Sequence, residues 1–502
     1  MNSNRALIFI LLGVAASACF ASQSATARAD GPAAAAIAKP NILWIIGEDL
    51  GPNLACYGTP AVATPNLDRL AAEGCRYTRA FATAPVCSAA RSALITGAYQ
   101  TSFGAQHHRS NRQPDAPGLP DGVRLITDRL RDVGYYTAIV SRFPESSPIE
   151  AKGKTDWNFA NPEKPFDTIN WSQLAKHQPF FAQINFEEAH RIYHHDPAHA
   201  IDPAQVVLPP YLADTPLIRE DWAAYLEDIQ ILDGKVGQVL RLLAADGLAD
   251  NTIVIFLGDN GREDFRGKYH LYEQGTQIPL IVRAPELLKP GTVSERLVSG
   301  VDITATTLAL AGITVPAASH GRPFFGPQAG EREYVYTALD RIDDNPDRVR
   351  AVRDARWKYL RNYEPDRPYL QENGYRATTN PTYLAMKKLH AEQRLNLAQS
   401  KFMASSRPVH ELYDLQADPF ELKNLADDPQ HADVLHRLQT ELDRWMTLTG
   451  DDRQTAESPA SRKFSLEEYE RTRPRNHANN LKRLRKTYQK FDELEPVAPP
   501  QP

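Results

Sequence analysis

Apolar and polar residues alternate along the chain in blocks whose periods predict a mixed α/β domain. Three nearly continuous apolar runs are typical of parallel strands that are covered on both faces: "NILWIIGED" (41–49), "PFFAQINF" (179–186) and "NTIVIFLGDNG" (251–261). Amphipathic segments with helical spacing lie between them, the longest at 222–250. This alternation predicts a large, mixed, mainly parallel sheet flanked by helices, from residue 39 to about residue 330.

Capping residues give the predicted helices definite ends. Thr64 is expected to cap a helix that begins at Pro65 and stops at Gly74, and Asp302 is expected to cap a helix near 302–313. A further helix and strand are predicted within 122–140, and one more strand within 278–285. The predicted segments are a signal peptide (1–29), a linker (30–38), a catalytic domain (39–330), a C-terminal subdomain with a small antiparallel sheet (331–457), and a peripheral helix with a Pro-rich tail (458–502).

Composition and charge describe an ordinary globular chain that is long enough for a large core. It has 502 residues, 42% of them hydrophobic, and a formal net charge of -5. The one basic stretch, at 471–490, is interpreted as a solvated helix face, so the sequence argues against a nucleic-acid partner.

The N-terminus predicts export. Arg5 is followed by an apolar run over 6–16 and then by small residues, with an Ala-x-Ala cleavage site before Asp30. That run is too short to cross a bilayer, and no other segment is long and apolar enough. We therefore expect a periplasmic or secreted protein; the alternative, a lipid anchor at Cys19, fits the surrounding residues poorly.

Cysteine usage draws attention to one position. Cys56, Cys75 and Cys87 remain after removal of a signal peptide, and an odd number leaves at least one unpaired. Cys56 and Cys75 could pair with each other, which would leave Cys87. Cys87 begins a predicted helix with Arg91 one turn later, an arrangement that suits an anion; the alternative is a buried structural cysteine.

Polar residues follow two of the predicted strands directly. Glu48 and Asp49 follow the first, and Asp259 and Asn260 follow the strand at 251–258. Active sites of open α/β sheets lie beyond the carboxyl ends of the strands, and a set of oxygen ligands suits a hard cation such as Ca²⁺ or Mg²⁺. Ordinary turn chemistry would explain either pair alone.

Other polar residues are candidates for the same site. Lys268 could hold an anionic oxygen, and His190 could donate a proton to a leaving group. His107, His108 and Arg109 could line a pocket for a polar substrate. The alternatives are a solvated lysine, a histidine with one structural bond, and an exposed polar loop.

These residues resemble the type I sulfatase family of the alkaline-phosphatase-like superfamily over roughly residues 39–426. "CSAAR" (87–91) followed by "LITG" is similar to the family signature, and "FLGDNG" with "KYHLYEQGTQIPLIV" resembles its second metal cluster and lysine element. "RAVRDARWKYLRNY" resembles part of its C-terminal subdomain. There is also a weaker similarity to heparan N-sulfatase.

The resemblance implies a mechanism. Cys87 would be oxidised by a maturation enzyme to formylglycine (3-oxoalanine), whose hydrated form attacks sulfur; His190 would protonate the leaving oxygen, and the second hydroxyl would then release sulfate. Arg91, Lys268 and a cation would stabilise charge on the sulfate oxygens. The implied ligands of a Ca²⁺ ion, or of Mg²⁺, are Glu48, Asp49, Cys87, Asp259 and Asn260.

The sequence departs from the family pattern in two places. The first metal ligand, commonly Asp, is Glu48 here. The family's "GKWHLG"-like element is missing, so either Arg142 or, as we favour, Lys154 of "GKTDW" supplies its lysine. Its histidine has no counterpart, and His107 or His108 is a candidate to replace it.

The expected substrate is a sulfated carbohydrate, with O- and N-sulfate both open. Arg341 and Asp344 are expected to reach into the cleft and bind sugar groups, unless they form a surface ion pair. Two alternatives remain: a phosphate or phosphonate monoester hydrolase of the same superfamily, and a non-catalytic glycan-binding protein in which Cys87 stays unmodified.

Overall fold

A computed structural model describes residues 39–160, 162–451 and 457–491, and in this part of the chain the strands form two sheets. The large sheet contains β1 (Asn41–Gly47), β2 (Cys75–Phe81), β3 (Tyr136–Arg142), β4 (Thr168–Asn170), β5 (Phe180–Asn185), β6 (Thr252–Gly258), β7 (Gln277–Arg283) and β8 (Thr292–Ser299). The small sheet contains β9 (Val335–Leu339), β10 (Val349–Arg353), β11 (Trp357–Asn362) and β12 (His410–Asp414).

The strand order of the large sheet is β4-β3-β5-β1-β6-β7-β2-β8. Strand β1 runs parallel to both β5 and β6, and only β7 runs antiparallel to its neighbours, β6 and β2. Residues 42–46 of β1 are completely buried, as its continuous apolar run predicts. The predicted fold class, a mixed and mainly parallel sheet with a small antiparallel sheet after it, is confirmed.

Within the described residues there are eleven α-helices. They are α1 (Pro65–Glu73), α2 (Cys87–Thr96), α3 (Ile126–Asp132), α4 (Pro216–Ala245), α5 (Glu273–Thr276), α6 (Gly300–Leu310), α7 (Arg376–Thr379), α8 (Pro381–Ala391), α9 (Leu397–Ser400), α10 (Ala432–Thr449) and α11 (Pro459–Thr487). Trp44 of β1 donates a hydrogen bond to Thr307 of α6 at 3.1 Å. A side chain at Gly47 would instead meet Leu232 of α4. Because side chains alternate along a strand, α4 and α6 lie on opposite faces.

The small sheet is antiparallel, in the order β12-β11-β10-β9. Helix α10 packs against β10 and β11, and its Trp445 stacks on Tyr336 with ring centroids 5.0 Å apart. The amide of Ala338 in β9 donates to the carbonyl of Thr83 at 3.0 Å, just before α2. The small sheet is therefore attached directly to the segment that carries Cys87.

Two predicted caps differ from the structure. Helix α6 follows Ser299, so Asp302 is its third residue and not its cap; the Asp302 carboxylate accepts a hydrogen bond from the Ser299 amide at 2.8 Å. Thr64 precedes α1 as predicted, but its hydroxyl donates to Asp68 at 2.9 Å instead of accepting from a helix amide.

The described cysteines are all free thiols, so the suggested pairing of Cys56 with Cys75 is wrong. Cys56 lies in a turn, and its backbone amide donates a hydrogen bond to Asp68. Cys75 is the first residue of β2 and pairs with Val282 of β7 and Thr292 of β8. Cys87 is therefore distinguished by its position rather than by the cysteine count. Cys19 lies outside the described residues.

Helix α11, predicted to be peripheral, packs on loops between strands of the large sheet. Near its start, Ser461 accepts a hydrogen bond from the Asn111 amide at 2.7 Å. Near its end, the carbonyl of Thr487 lies 2.8 Å from Nε2 of His195. The predicted signal peptide, the linker and most of the Pro-rich tail lie outside the described residues. Within the described ranges, no helix has both the length and the apolar character required to cross a membrane.

Candidate active site

Helix α2 presents Cys87 as its first residue. Every side chain of α2 is buried, including Arg91, which is 3% exposed. Because Cys87 and Arg91 are four residues apart, they share one face of the helix. Burial raises the pKa of the Cys87 thiol to about 12, so an unmodified thiol is neutral at physiological pH and a poor nucleophile.

Strands β1 and β6 end side by side and bring together the four oxygen-bearing residues of the predicted metal site, Glu48, Asp49, Asp259 and Asn260. The Asp49 amide donates to Asp259 Oδ1 at 3.0 Å, and Asn260 Nδ2 donates to Asp49 Oδ1 at 2.9 Å. The last residue of β6 is Gly258, where a Cβ would lie 2.5 Å from the carbonyl oxygen of Leu50. Glycine is therefore needed for this close approach of the two strand ends.

Three cationic side chains neutralise these carboxylates. The pairs are Lys154 with Glu48, Arg91 Nε with Asp259 Oδ2 at 2.9 Å, and Lys268 Nζ with Asp49 Oδ2 at 2.9 Å. Burial alone would raise the pKa of Asp49, but Lys268 lowers it to about 2. Arg142, the alternative to Lys154, is the exposed last residue of β3. The structure thus places Lys154, and not Arg142, in the cluster.

The donor set of this cluster fits a hard cation. It consists of three carboxylates and an amide, and Asn260 Oδ1 is a buried acceptor with no hydrogen-bond donor among the described residues. The types of ligand therefore fit, but their present positions do not: among the described residues, no three His, Cys, Asp or Glu side chains are arranged so that they could hold a metal ion. In this structure Lys154, Arg91 and Lys268 form ion pairs with the same carboxylates that would bind a cation.

His108 lies on the nucleophile side of the site. Its Nε2 is 3.9 Å from Cys87 Sγ, and its Nδ1 is 3.0 Å from Asp343 Oδ1. Asp343 also accepts a hydrogen bond from the Tyr269 hydroxyl at 2.9 Å. Burial lowers the pKa of His108 to about 4 despite this carboxylate. Of the two candidate histidines, His108 rather than His107 is the one beside Cys87.

His190 lies across the cluster, in the loop after β5. Its Nε2 is 3.7 Å from Asp49 Oδ2, and its Nδ1 is 2.7 Å from the carbonyl oxygen of Arg191. Because a carbonyl can only accept, Nδ1 carries a proton and Nε2 is the nitrogen that exchanges one. The side chain is 27% exposed, so it can meet a substrate.

The other predicted substrate-binding residues have different surroundings. Arg341 is buried and donates to Glu457 at 2.7 Å and to the carbonyl of His108 at 3.1 Å, so it holds a loop in place. His107 Nδ1 is buried and has no hydrogen-bond partner within the described part of the chain. Arg109 is exposed, in a left-handed conformation with φ 56°. Asp344 is half-buried, and its neighbour Asp343 is the residue that reaches His108.

Three residues of the site were not predicted. Asp343 holds His108, Tyr375 lies beside His190, and Glu263 accepts the hydrogen bond of the Tyr375 hydroxyl. All three come from irregular segments, where no periodic pattern shows which way a side chain faces. The only available signal was the proximity of Asp343 to Asp344, which was chosen instead.

The mainly parallel sheet with its polar site at the strand ends fits an alkaline-phosphatase-like hydrolase, and the family and sequence matches that follow support this class. The family model described as Sulfatase matches residues 40–313, more than half of the chain, and the one described as N-sulphoglucosamine sulphohydrolase, C-terminal, matches residues 261–372. An ulvan-active sulfatase of Formosa agariphila is 34% identical, over 84% of this chain and 77% of its own length. The chain therefore belongs to the sulfatase family, and it is a sulfate ester hydrolase.

Solved structures share the fold. BT4656 in complex with its substrate D-glucosamine-2-N,6-O-disulfate matches with a TM-score of 0.60 and 17% identity, covering 82% of this chain and 98% of that one. A phosphonate monoester hydrolase from Silicibacter pomeroyi matches with a TM-score of 0.59 and 20% identity, covering 81% and 95%. The fold alone therefore does not separate sulfate from phosphonate hydrolysis.

Proposed function

We propose that this protein is an exported carbohydrate sulfatase whose nucleophile is made from Cys87. The observation that carries the proposal is the convergence of Cys87, Arg91, Lys154 and Lys268 around one carboxylate cluster. A carbohydrate substrate is supported by the ulvan-active relative and by the fold shared with a protein that binds a disulfated glucosamine.

Conversion of Cys87 to formylglycine by a maturation enzyme is part of the proposal. The hydrated aldehyde would supply the attacking hydroxyl, which the neutral thiol of Cys87 lacks. The residues around the thiol support this role, since "CSAAR" is similar to the signature in which that cysteine is modified. His108 lies 3.9 Å from Sγ and could hold a hydroxyl there.

The cationic side chains of the site would stabilise the negative charge of a bound sulfate group. Arg91, Lys154 and Lys268 surround the cluster, and the first amides of α2 point toward its N-terminal end. A Ca²⁺ or Mg²⁺ ion held by Glu48, Asp49, Asp259, Asn260 and the modified residue 87 would act as a Lewis acid on a sulfate oxygen.

His190 is proposed to protonate the leaving oxygen of the sugar. Its Nδ1 proton is committed to the Arg191 carbonyl, which leaves Nε2 to donate. Partial exposure lets Nε2 face the carbohydrate side of the ester, whereas Cys87 is buried on the sulfate side.

Export rests on the signal-like sequence of residues 1–29. N-terminal sequencing of the mature protein from its producing cell tests this: a start near Asp30 is expected, and a retained Met1 would contradict export through this signal.

The first test of function is mass spectrometry of the tryptic peptide 80–91 from the native host, combined with hydrolysis assays. We expect a loss of mass at Cys87 that matches conversion of the thiol to an aldehyde, and sulfate release from ulvan oligosaccharides or sulfated glucosamines. Faster hydrolysis of phenyl phosphonate would favour the phosphonate alternative. An unmodified Cys87 without hydrolysis of any ester would favour a glycan-binding protein.

A further inference from the structure

Tyr375 brings the C-terminal part of the chain into contact with His190. It precedes α7, and its hydroxyl oxygen lies 3.4 Å from His190 Nε2. Its ring lies under Lys268, whose Nζ is 5.5 Å from the ring centroid. Tyr375 therefore borders the carboxylate cluster, although both family matches end before it, at residues 313 and 372.

The hydrogen bonds around Tyr375 fix the direction of its hydroxyl group. Tyr375 donates its proton to Glu263 Oε2 at 3.0 Å, because a carboxylate only accepts. A lone pair of the Tyr375 oxygen consequently faces His190 Nε2. The imidazole of His190 is therefore contacted at both nitrogens: closely at Nδ1, 2.7 Å from the Arg191 carbonyl oxygen, and loosely at Nε2, 3.4 Å from the Tyr375 oxygen, so that Nε2 can still turn its proton to a substrate.

Tyr375 and its acceptor Glu263 are both rigidly supported. Glu263 is completely buried, and Arg376, the residue after Tyr375, is 2% exposed. Arg376 donates to the carbonyl oxygens of Asp264 and Phe265, each at 3.1 Å. Tyr375 and Glu263 therefore belong to segments that are tied together, so their hydrogen bond is a fixed feature rather than a surface contact.

We propose that Tyr375, oriented by Glu263, is a positioning residue that holds His190 Nε2 toward the leaving oxygen of the substrate. This inference rests on the proposed function, in which His190 is the proton donor. Tyr375 itself transfers no proton: it limits the rotation of the imidazole, so that Nε2–H is aligned before the S–O bond breaks.

The test is Tyr375→Phe, which keeps the ring and removes the hydroxyl. A proton donor matters most for a poor leaving group, so kcat for a sugar sulfate should fall about tenfold, which is a part of the roughly 10²–10⁴-fold that general acid catalysis supplies. The rate for 4-nitrophenyl sulfate, whose leaving group needs little protonation, should change less than about twofold. KM should stay nearly constant for both substrates. Glu263→Gln should give a smaller change in the same direction, because it weakens the acceptor of the Tyr375 proton.

Tyr211→Phe is the matched control, because its hydroxyl also donates to a carboxylate, Asp264, at 2.7 Å but does not contact His190. It should leave the ratio of the two rates unchanged. In a His190→Ala background, Tyr375→Phe should have no further effect on that ratio. Equal loss on both substrates, an unchanged ratio, or a rise in KM alone would overturn the inference. Absence of sulfate release by the wild-type protein would instead refute the proposed function.

Discussion

The two histidines of the site differ in how they are held. His108, on the nucleophile side, has a side chain that is 6% exposed and rests on a buried carboxylate, Asp343. His190, on the opposite side, is 27% exposed and rests on a backbone carbonyl and a tyrosine hydroxyl. Each has an acceptor at Nδ1 and directs Nε2 into the site.

This difference fits the two tasks of the proposed reaction. His108, beside residue 87, has to stay in place through every turnover, and its burial against the Asp343 carboxylate holds the imidazole in a single orientation. The group that meets the carbohydrate has to remain accessible, so it lies at the open side; its hydrogen-bond partners are neutral, and a carboxylate oxygen, Asp49 Oδ2, is 3.7 Å from its Nε2. The comparison can be tested by changes that affect one side and not the other.

The largest effect is expected from removal of the nucleophile. Cys87→Ala should reduce hydrolysis of every sulfate ester by about a thousandfold or more, whatever its leaving group. Cys56→Ala is the control, because Cys56 is a free thiol in a turn outside the site. Initial rates on a sugar sulfate and on 4-nitrophenyl sulfate measure this. Residual activity within tenfold of the wild type would show that Cys87 is not the nucleophile.

The two histidine variants should separate by leaving group. His190→Ala should lower kcat about a hundredfold for a sugar sulfate and far less for 4-nitrophenyl sulfate, because only the first needs a strong proton donor. His108→Ala should lower both rates by similar factors, since His108 faces Cys87. The ratio of the two rates in each variant is the measurement. If His108→Ala were the leaving-group-dependent variant, the two roles would have to be exchanged.

Substitutions on the two sides of the site should also differ in their effect on the stability of the protein. His108 and Tyr269 each form a hydrogen bond to a different carboxylate oxygen of Asp343. Asp343→Asn keeps only one acceptor oxygen, so one of these hydrogen bonds is lost. The free energy of unfolding should fall by about 2 kcal/mol. His190→Asn should lower it by less than about 1 kcal/mol, because that side chain is partly solvated. Urea denaturation of both variants measures the difference, and equal losses would contradict it.

Much of the fold follows from the sequence because buried strands have a simple pattern. The apolar runs of β1, β5 and β6 are continuous and were predicted. Strands β2 and β8 were missed: β8 is at the edge, its first five residues are half-buried or exposed, and its "TVSERLVS" contains charges. Tertiary pairing rather than local pattern determines such strands.

The same contrast applies to the site. Glu48, Asp49, Asp259 and Asn260 could be predicted to lie together because they follow two parallel strands that end at the same level. Asp343 could not be distinguished from Asp344, because its left-handed φ of 52° reverses the chain direction locally. Tyr375 and Glu263 are 112 residues apart, and only the tertiary fold joins them and brings Tyr375 to His190.

The smallest effect concerns the far end of the His190 loop. His195 Nδ1 lies 2.8 Å from Glu227 Oε2, and Nε2 lies 2.8 Å from the carbonyl oxygen of Thr487 in α11. Both partners accept, so the doubly protonated imidazolium is favoured, and the hydrogen bond to Glu227 raises the pKa of His195 from 6.5 to about 8.

The sign of the pH dependence follows from that shift. The contribution of His195 to stability is complete below its unfolded pKa of 6.5 and is lost as the pH rises through about 8. Because the side chain is 39% exposed, solvent screening should keep this contribution below about 1 kcal/mol. His195→Gln should therefore be less stable than the wild type at about pH 6 and nearly equal to it at about pH 9. His199→Gln, in the same loop and with a side chain that is 73% exposed, is the control for loss of a histidine from this loop. If the two proteins differed in free energy of unfolding by the same amount at every pH in this range, His195 would support the loop by packing alone. The charge of His195 would then play no part in holding the loop against α11.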